Sequence, residues 1–230
     1  MTSIQPPIDP APSSSKPDRP IRDRLTPQHW LAVVLVLSIS LILWGRSPRS
    51  PEEPVWTFTP APLVKQGGNP YIRALMRTIS AAESNSSRPY SLLYGGDRFE
   101  DLKRHPDQCV PIVAGPNLGD CTTAAGRYQF ITTTWLEQAA KYHPRPTGLW
   151  FRRAYSFAPE YQDEVVYRWL SDPAAWGVDL TELLRQDRLE EVLALLSPTW
   201  TSLGYGIESN SMTDWLPEIY QQVLAEELAG

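Results

Sequence analysis

The sequence predicts an α+β protein, mostly helical with one small β-hairpin lobe, preceded by a single transmembrane helix. Three observations predict it. Beyond residue 68, five segments read as helices, the clearest of them repeating apolar residues at i, i+3, i+4 and i+7. One glycine pair, Gly95-Gly96, separates two short apolar-containing runs within Tyr90–Phe99 and reads as a hairpin turn. One stretch, between Arg24 and Arg46, holds 21 residues without a formal charge. That is close to the length that spans roughly 30 Å of hydrocarbon.

The chain divides by composition. Residues 1–28 are rich in proline, serine and charge, and are expected to form a disordered cytoplasmic tail. Residues 29–45 are the expected anchor, bracketed by Trp30 and Trp44 as interface residues. Lys16, Arg19, Arg22 and Arg24 precede it, while only Arg46 and Arg49 follow closely. The positive-inside rule then keeps the N-terminus in the cytoplasm and places the rest outside, periplasmic or extracellular. The alternatives are a cleaved signal peptide and a buried helix. A 28-residue leader is long for a signal, and Leu43-Trp44-Gly45-Arg46 lacks an Ala-x-Ala site. A buried helix would not be apolar on every face beside polar flanks. Residues 46–67 hold five prolines and read as a semi-rigid linker, reaching up to roughly 60 Å from the bilayer. Residues 68–230 are the expected globular domain, without internal repeats.

Within that domain the first helix starts at Asn69-Pro70, a capping residue followed by proline at the first helical position. Ile72, Leu75, Met76 and Ile79 form its buried stripe, and Glu83 continues it. After the Gly95-Gly96 hairpin, an irregular loop is expected from His105 to Thr123. Further helices are expected at about 131–142, at 159–170 with proline in the first turn, from Asp187 as N-cap, and at about 212–228. A cleft between hairpin and helices would have Glu83 at its floor.

The formal net charge is −5, and residues 1–67 carry seven Lys/Arg against five Asp/Glu, so the acidity lies in the globular part. An acidic domain with no basic stripe argues against nucleic-acid binding. Of nine tryptophans, six lie beyond residue 130, a mild tilt toward sugar stacking. Cys109 and Cys121 are the only cysteines. In an exported domain a disulfide is the default, worth roughly 3 kcal/mol for so short a loop; two free buried thiols are the alternative. His29, His105 and His143 give no ligand spacing with two cysteines, so no metal and no cofactor is expected. Glu83 carries the chemical signal. Apolar surroundings and the negative end of a helix dipole both disfavour a charged carboxylate. A carboxylic acid that keeps its proton near neutral pH is what glycosidic cleavage requires.

Seven segments in order carry a resemblance. They are Thr78–Ser84, Tyr94-Gly-Gly-Asp-Arg-Phe99-Glu-Asp101, His105-Pro106, Ala124-Ala-Gly-Arg-Tyr-Gln-Phe130, Thr134-Trp135, Phe157–Asp163 and Trp200-Thr-Ser-Leu-Gly-Tyr205-Gly206. The set, with Gly-Arg-Tyr-Gln at its centre, resembles the lambda-phage-type endolysins, lytic transglycosylases of glycoside hydrolase family 104. The resemblance implies a lysozyme-like fold that cuts between N-acetylmuramic acid and N-acetylglucosamine in peptidoglycan. It puts the catalytic acid on Glu83. Tyr90, Tyr94, Tyr128, Gln129 and Tyr205 become candidate sugar contacts, with core packing as the rival reading of Tyr128 and Phe130. Arg127 reads as an ion-pair residue, and Trp135, Trp169 and Trp200 as core. Pro89 and Ser91 stand where relatives have a histidine and an aspartate, and Ser84 stands where the phage enzyme has glycine. The implied partner is the glycan strand, met by a monomer.

The implied mechanism needs one carboxyl. Glu83 protonates the glycosidic oxygen, then takes the proton of the muramic acid 6-hydroxyl as that oxygen closes on C1, leaving a 1,6-anhydro end. Asp97, Glu100 and Asp101 are the nearby carboxylates, read as solvated turn residues. The competing functions are a hydrolysing muramidase and a non-catalytic peptidoglycan-binding envelope protein.

Overall fold

Helix α1 (Pro70–Glu83) is buried on every side from Ala74 to Ala82 in the computed structural model, which describes residues 59–230 except 114, 116, 150–152 and 206–210. The expected tail, the anchor at 29–45, the linker as far as residue 58, and Gly206 lie outside the described residues. Among the described residues no helix is long and apolar enough to cross a membrane.

The start of α1 follows from its sequence. Asn69 caps it by accepting from the Tyr71 N–H, and Pro70 opens it. Its end is satisfied locally, with the N–H groups of Ser84 and Asn85 both donating to the Ser80 carbonyl. The periodicity predicts one buried stripe, yet the polar side is buried as well. Thr78 Oγ1 donates to the Ala74 carbonyl at 2.9 Å. Arg77, 2 % exposed, pairs with Glu226 at 2.6 Å and Glu227 at 3.1 Å, and Arg73 pairs with Glu227. Both glutamates belong to α7 (Leu216–Ala229), the helix α1 packs against most extensively.

Five helices lie between. They are α2 (Thr132–Tyr142), α3 (Pro159–Leu170), α4 (Pro173–Trp176), α5 (Leu180–Arg185) and α6 (Leu189–Leu196). Helix α1 also packs on α3 and α5, α2 on α3, and α5 on α6. Helices α4 and α5 are short and were not foreseen, although Asp172 and Asp179 cap them by side-chain hydrogen bonds. Asp187 does not cap α6; its φ is +58° and Arg188 takes the N-cap place. The last helix opens with a 3-10 turn at Thr213–Trp215.

The β lobe sits elsewhere than expected. Residues 90–99 pair with one another at only one antiparallel bridge, Leu92 with Arg98, closed by Leu93 N–H donating to the Asp97 carbonyl at 2.7 Å, and Leu93 bridges instead to Ala125. Pro89, with fixed φ and no donor, opens a 3-10 turn at Pro89–Ser91, and Tyr94–Gly96 forms another. The paired strands lie in the stretch expected to be irregular: β1 (Val110–Pro111) runs antiparallel to β2 (Cys121–Thr122), with Val110 opposite Thr122. The Cys109–Cys121 disulfide closes the foot of this hairpin, with Cα atoms 5.5 Å apart.

Residues 59–67 are not a free linker. Leu63 is 4 % exposed, and the carbonyls of Pro60, Ala61 and Pro62 accept from Arg77 and Arg127. The N–H groups of Val64 and Lys65 donate to Asp163 of α3 at 2.8 and 3.1 Å. Proline content alone suggests an unattached segment; two buried guanidiniums that need acceptors bind it to the domain. The domain therefore begins by residue 59. We call 59–65 the strap.

Asp163 is fully buried, and Tyr90, Tyr128, Val64 and Lys65 all donate to it. Replacing it with alanine strands Arg127 and these donors. Asp163→Ala is expected to cost about 3–5 kcal/mol, measured as a lower urea midpoint. A variant with an unchanged midpoint contradicts this role for the network.

Candidate active site

Glu83 is the last residue of α1, half-buried between two buried neighbours, Ala82 and Ser84. The Ser202 hydroxyl donates a hydrogen bond to its Oε1 across 119 positions of sequence. Ser202 lies in the 3-10 turn Thr201–Leu203. Trp200 roots that turn: it is 3 % exposed, its Nε1 donates to the Tyr128 carbonyl at 3.1 Å, and its ring lies 5.2 Å from Trp169 and 6.4 Å from Trp176. The Ser202 carbonyl accepts from Thr213 Oγ1 at 3.1 Å.

The Gly-Arg-Tyr-Gln turn, Gly126–Gln129, is set by Gln162 of α3. The Gln162 Oε1 accepts from the Arg127 N–H at 2.9 Å, and its Nε2 donates to the Tyr90 and Phe157 carbonyls. Gly126 is required here. Its φ is +77°, and a Cβ at this point would lie 2.4 Å from Gln162 Oε1. Gln129 has φ +46° without being glycine, a strain of the kind that gathers at functional sites. It is half-buried, and its Nε2 donates to the Gly126 carbonyl at 2.9 Å.

The tyrosines fall into three groups. Tyr128 is 0 % exposed, and its hydroxyl donates to Asp163 Oδ1 at 2.7 Å. The Tyr90 hydroxyl donates to Asp163 Oδ2 at 2.7 Å and accepts from Arg127 Nη1 and the Val64 N–H. Burial, then the Asp163 charge, pushes both phenols above the usual tyrosine range. These hydroxyls are committed to the strap network, so core support and not sugar contact is what the geometry gives them. Tyr94 is half-buried, and its hydroxyl makes no hydrogen bond among the described residues. Tyr205 is 46 % exposed, and its hydroxyl donates to Glu190. Desolvation and that bond raise its ionisation above the normal range.

Arg127 makes no direct ion pair among the described residues. It binds strap carbonyls and reaches Asp163 through Tyr90. Trp135, Trp169 and Trp200 are all buried. His105 is buried, with Nε2 2.7 Å from the Phe130 carbonyl and Nδ1 accepting from the Asp107 N–H, so it ties the 105–107 corner to the Gly-Arg-Tyr-Gln turn. Burial lowers its pKa from the usual histidine value. Asp97, Glu100 and Asp101 are exposed, and Asp101 accepts from the Lys103 N–H in a local turn. A hollow of about 460 Å³ beside His105 has Arg104, Asp107, Trp135, Arg153 and Tyr155 in its walls, but not Glu83.

The family model described as Endolysin matches residues 73–226, which takes in most of α1 and α7 and every element between them. The chain belongs to the endolysin family. That match supports an endolysin-type, peptidoglycan-degrading function. The fold of this endolysin-family chain is similar to that of bacteriophage lambda lysozyme complexed with a chitohexasaccharide, at 22 % identity and a TM-score of 0.50, covering 69 % of this chain and 97 % of that one. A second structure, lysozyme from bacteriophage lambda, aligns at 17 % identity and a TM-score of 0.46, covering 71 % of this chain and 97 % of that one. No curated protein matches the chain. The first of these two likenesses shows a lysozyme-like fold. Ser202, Gln162 and Asp163 all lie within segments that carry the resemblance, but their roles needed the contacts. Only Trp200, a large apolar anchor two residues before Ser202, hinted at a fixed turn there.

If Tyr90 and Tyr128 serve the network, their phenylalanine variants lose a bond to a charged group, at about 1.5–3 kcal/mol each. Tyr90→Phe and Tyr128→Phe are expected to melt earlier while KM for cell-wall substrate stays within twofold. A raised KM at unchanged melting temperature would return them to the sugar site.

Proposed function

We propose that the chain is a membrane-anchored peptidoglycan lytic transglycosylase that cleaves the bond between N-acetylmuramic acid and N-acetylglucosamine. Glu83 serves as the single general acid and base, and the products are 1,6-anhydro ends. The observation that carries this is a half-buried carboxyl at the end of a buried helix, held by a hydroxyl from the far end of the chain. The carboxylates Asp97, Glu100 and Asp101 are exposed, which favours the muramic acid 6-hydroxyl over a carboxylate-positioned water as nucleophile. Proximity within one sugar supplies that nucleophile. The phage lysozyme of similar fold was solved with a chitohexasaccharide, and glycan binding is carried to this chain as part of the proposal. The anchor reading of residues 29–45 places the catalytic domain outside the membrane, periplasmic or extracellular, with the N-terminus in the cytoplasm.

Two experiments test this. Glu83→Gln is expected to lower turnover of purified sacculi by at least ~100-fold, the usual scale for a lost general acid, without moving the melting temperature. Retained turnover removes Glu83 from the mechanism. Mass spectrometry of the released muropeptides is expected to find anhydro ends; reducing ends would make the protein a hydrolysing muramidase. Binding to sacculi with no products would leave the non-catalytic reading. For the anchor, an N-terminal tag is expected in the membrane fraction of the mature protein, and its loss would mean a cleaved signal.

A further inference from the structure

We infer that Ser202 is a positioning residue for Glu83, selecting which carboxyl oxygen carries the catalytic proton. This rests on the reading of Glu83 as the general acid. The Ser202 hydroxyl donates to Oε1, so the neutral acid carries its proton on Oε2. A hydroxyl free to rotate on a surface loop would impose no such choice, but this one has little freedom of backbone. Trp200 N–H-bonds to the Tyr128 carbonyl on one side, and Thr213 Oγ1 holds the Ser202 carbonyl itself at 3.1 Å. The turn then leaves through Gly204, whose φ is +94° and where a Cβ would lie 2.7 Å from Thr213 Cγ2. A glycine at this exit lets Thr213 close on the turn.

Two consequences follow for the reaction. The bond restrains the rotamer of a side chain at a helix end. It also stabilises the carboxylate, because a donor to the charged form favours that form. In the first step the Oε2 proton passes to the glycosidic oxygen as its bond to C1 breaks. In the second, the 6-hydroxyl proton returns to the carboxylate as its oxygen bonds to C1. Ser202 keeps its own proton throughout and touches neither reacting atom.

The test is the pH–rate profile of the full-length chain on purified sacculi. Ser202→Ala removes the donor, so the acid stays protonated to higher pH. The alkaline limb is expected to move up by about one unit, while kcat falls about tenfold with KM within twofold. Ser202→Thr, which keeps the hydroxyl, is expected to restore both. Should Ser202→Ala lose cooperative melting, Ser202→Cys, of similar size but a weaker donor, is read the same way. An unmoved limb and kcat, alongside an inactive Glu83→Gln, overturn the role of Ser202 and leave Glu83 standing. An active Glu83→Gln overturns both. A loss in Ser202→Ala that Ser202→Thr does not recover, with the limb unmoved, marks Ser202 as a packing residue and rejects the inference.

Discussion

A carboxylate removed from water must be matched donor by donor, and Asp163 is where this domain meets that demand. It is fully buried and takes hydrogen bonds from two tyrosine hydroxyls and two backbone amides. Unmatched burial of one such charge costs several kcal/mol. The donors come from three separate places: the strap, the 3-10 turn at Pro89–Ser91, and the Gly-Arg-Tyr-Gln turn. One group on α3 therefore sets the mutual position of all three. Its neighbour Gln162 finishes the work by fixing the Gly126–Arg127 backbone.

The Glu83 carboxyl depends on this arrangement at one remove. Trp200, which roots the Ser202 turn, hydrogen-bonds to the carbonyl of Tyr128, whose own hydroxyl ends on Asp163. Damage at Asp163 thus reaches the candidate acid through Tyr128, Trp200 and Ser202. The helix bearing Glu83 is rigid for a different reason. Its polar side is paired with Glu226 and Glu227 and residues 74 to 82 are all buried, so its middle has no solvated face along which to slide.

Much of this was legible in the sequence. Periodicity and caps located α1, α2, α3 and α7 to within a few residues, because their apolar stripes and prolines are local signals. The helical position of Glu83 was legible for the same reason, and the ordered motifs indicated the family that the match then established. Three things were not legible. The strap read as linker because its anchoring partners, Arg127 and Asp163, lie about 60 to 100 residues away. The hairpin lobe was misplaced because a glycine pair signals a turn but not that its flanks will pair, whereas the Cys109–Cys121 loop pairs with few apolar residues to advertise it. Tyr128 was ambiguous because a tyrosine in a turn motif serves a cleft or a core equally well until the partner of its hydroxyl is known. The roles of Gln162, Asp163 and Ser202 are tertiary facts of the same kind.

The pairing of α1 with α7 bears on how the protein is made. Synthesis proceeds from the N-terminus, so the helix carrying Glu83 exists long before the residues that neutralise Arg73 and Arg77. Until residues 226 and 227 are made, two guanidiniums on that helix lack their carboxylate partners. The disulfide closes over a separation of 12, whereas the helix bearing Glu83 gains its carboxylate partners only once residues 226 and 227 have been made.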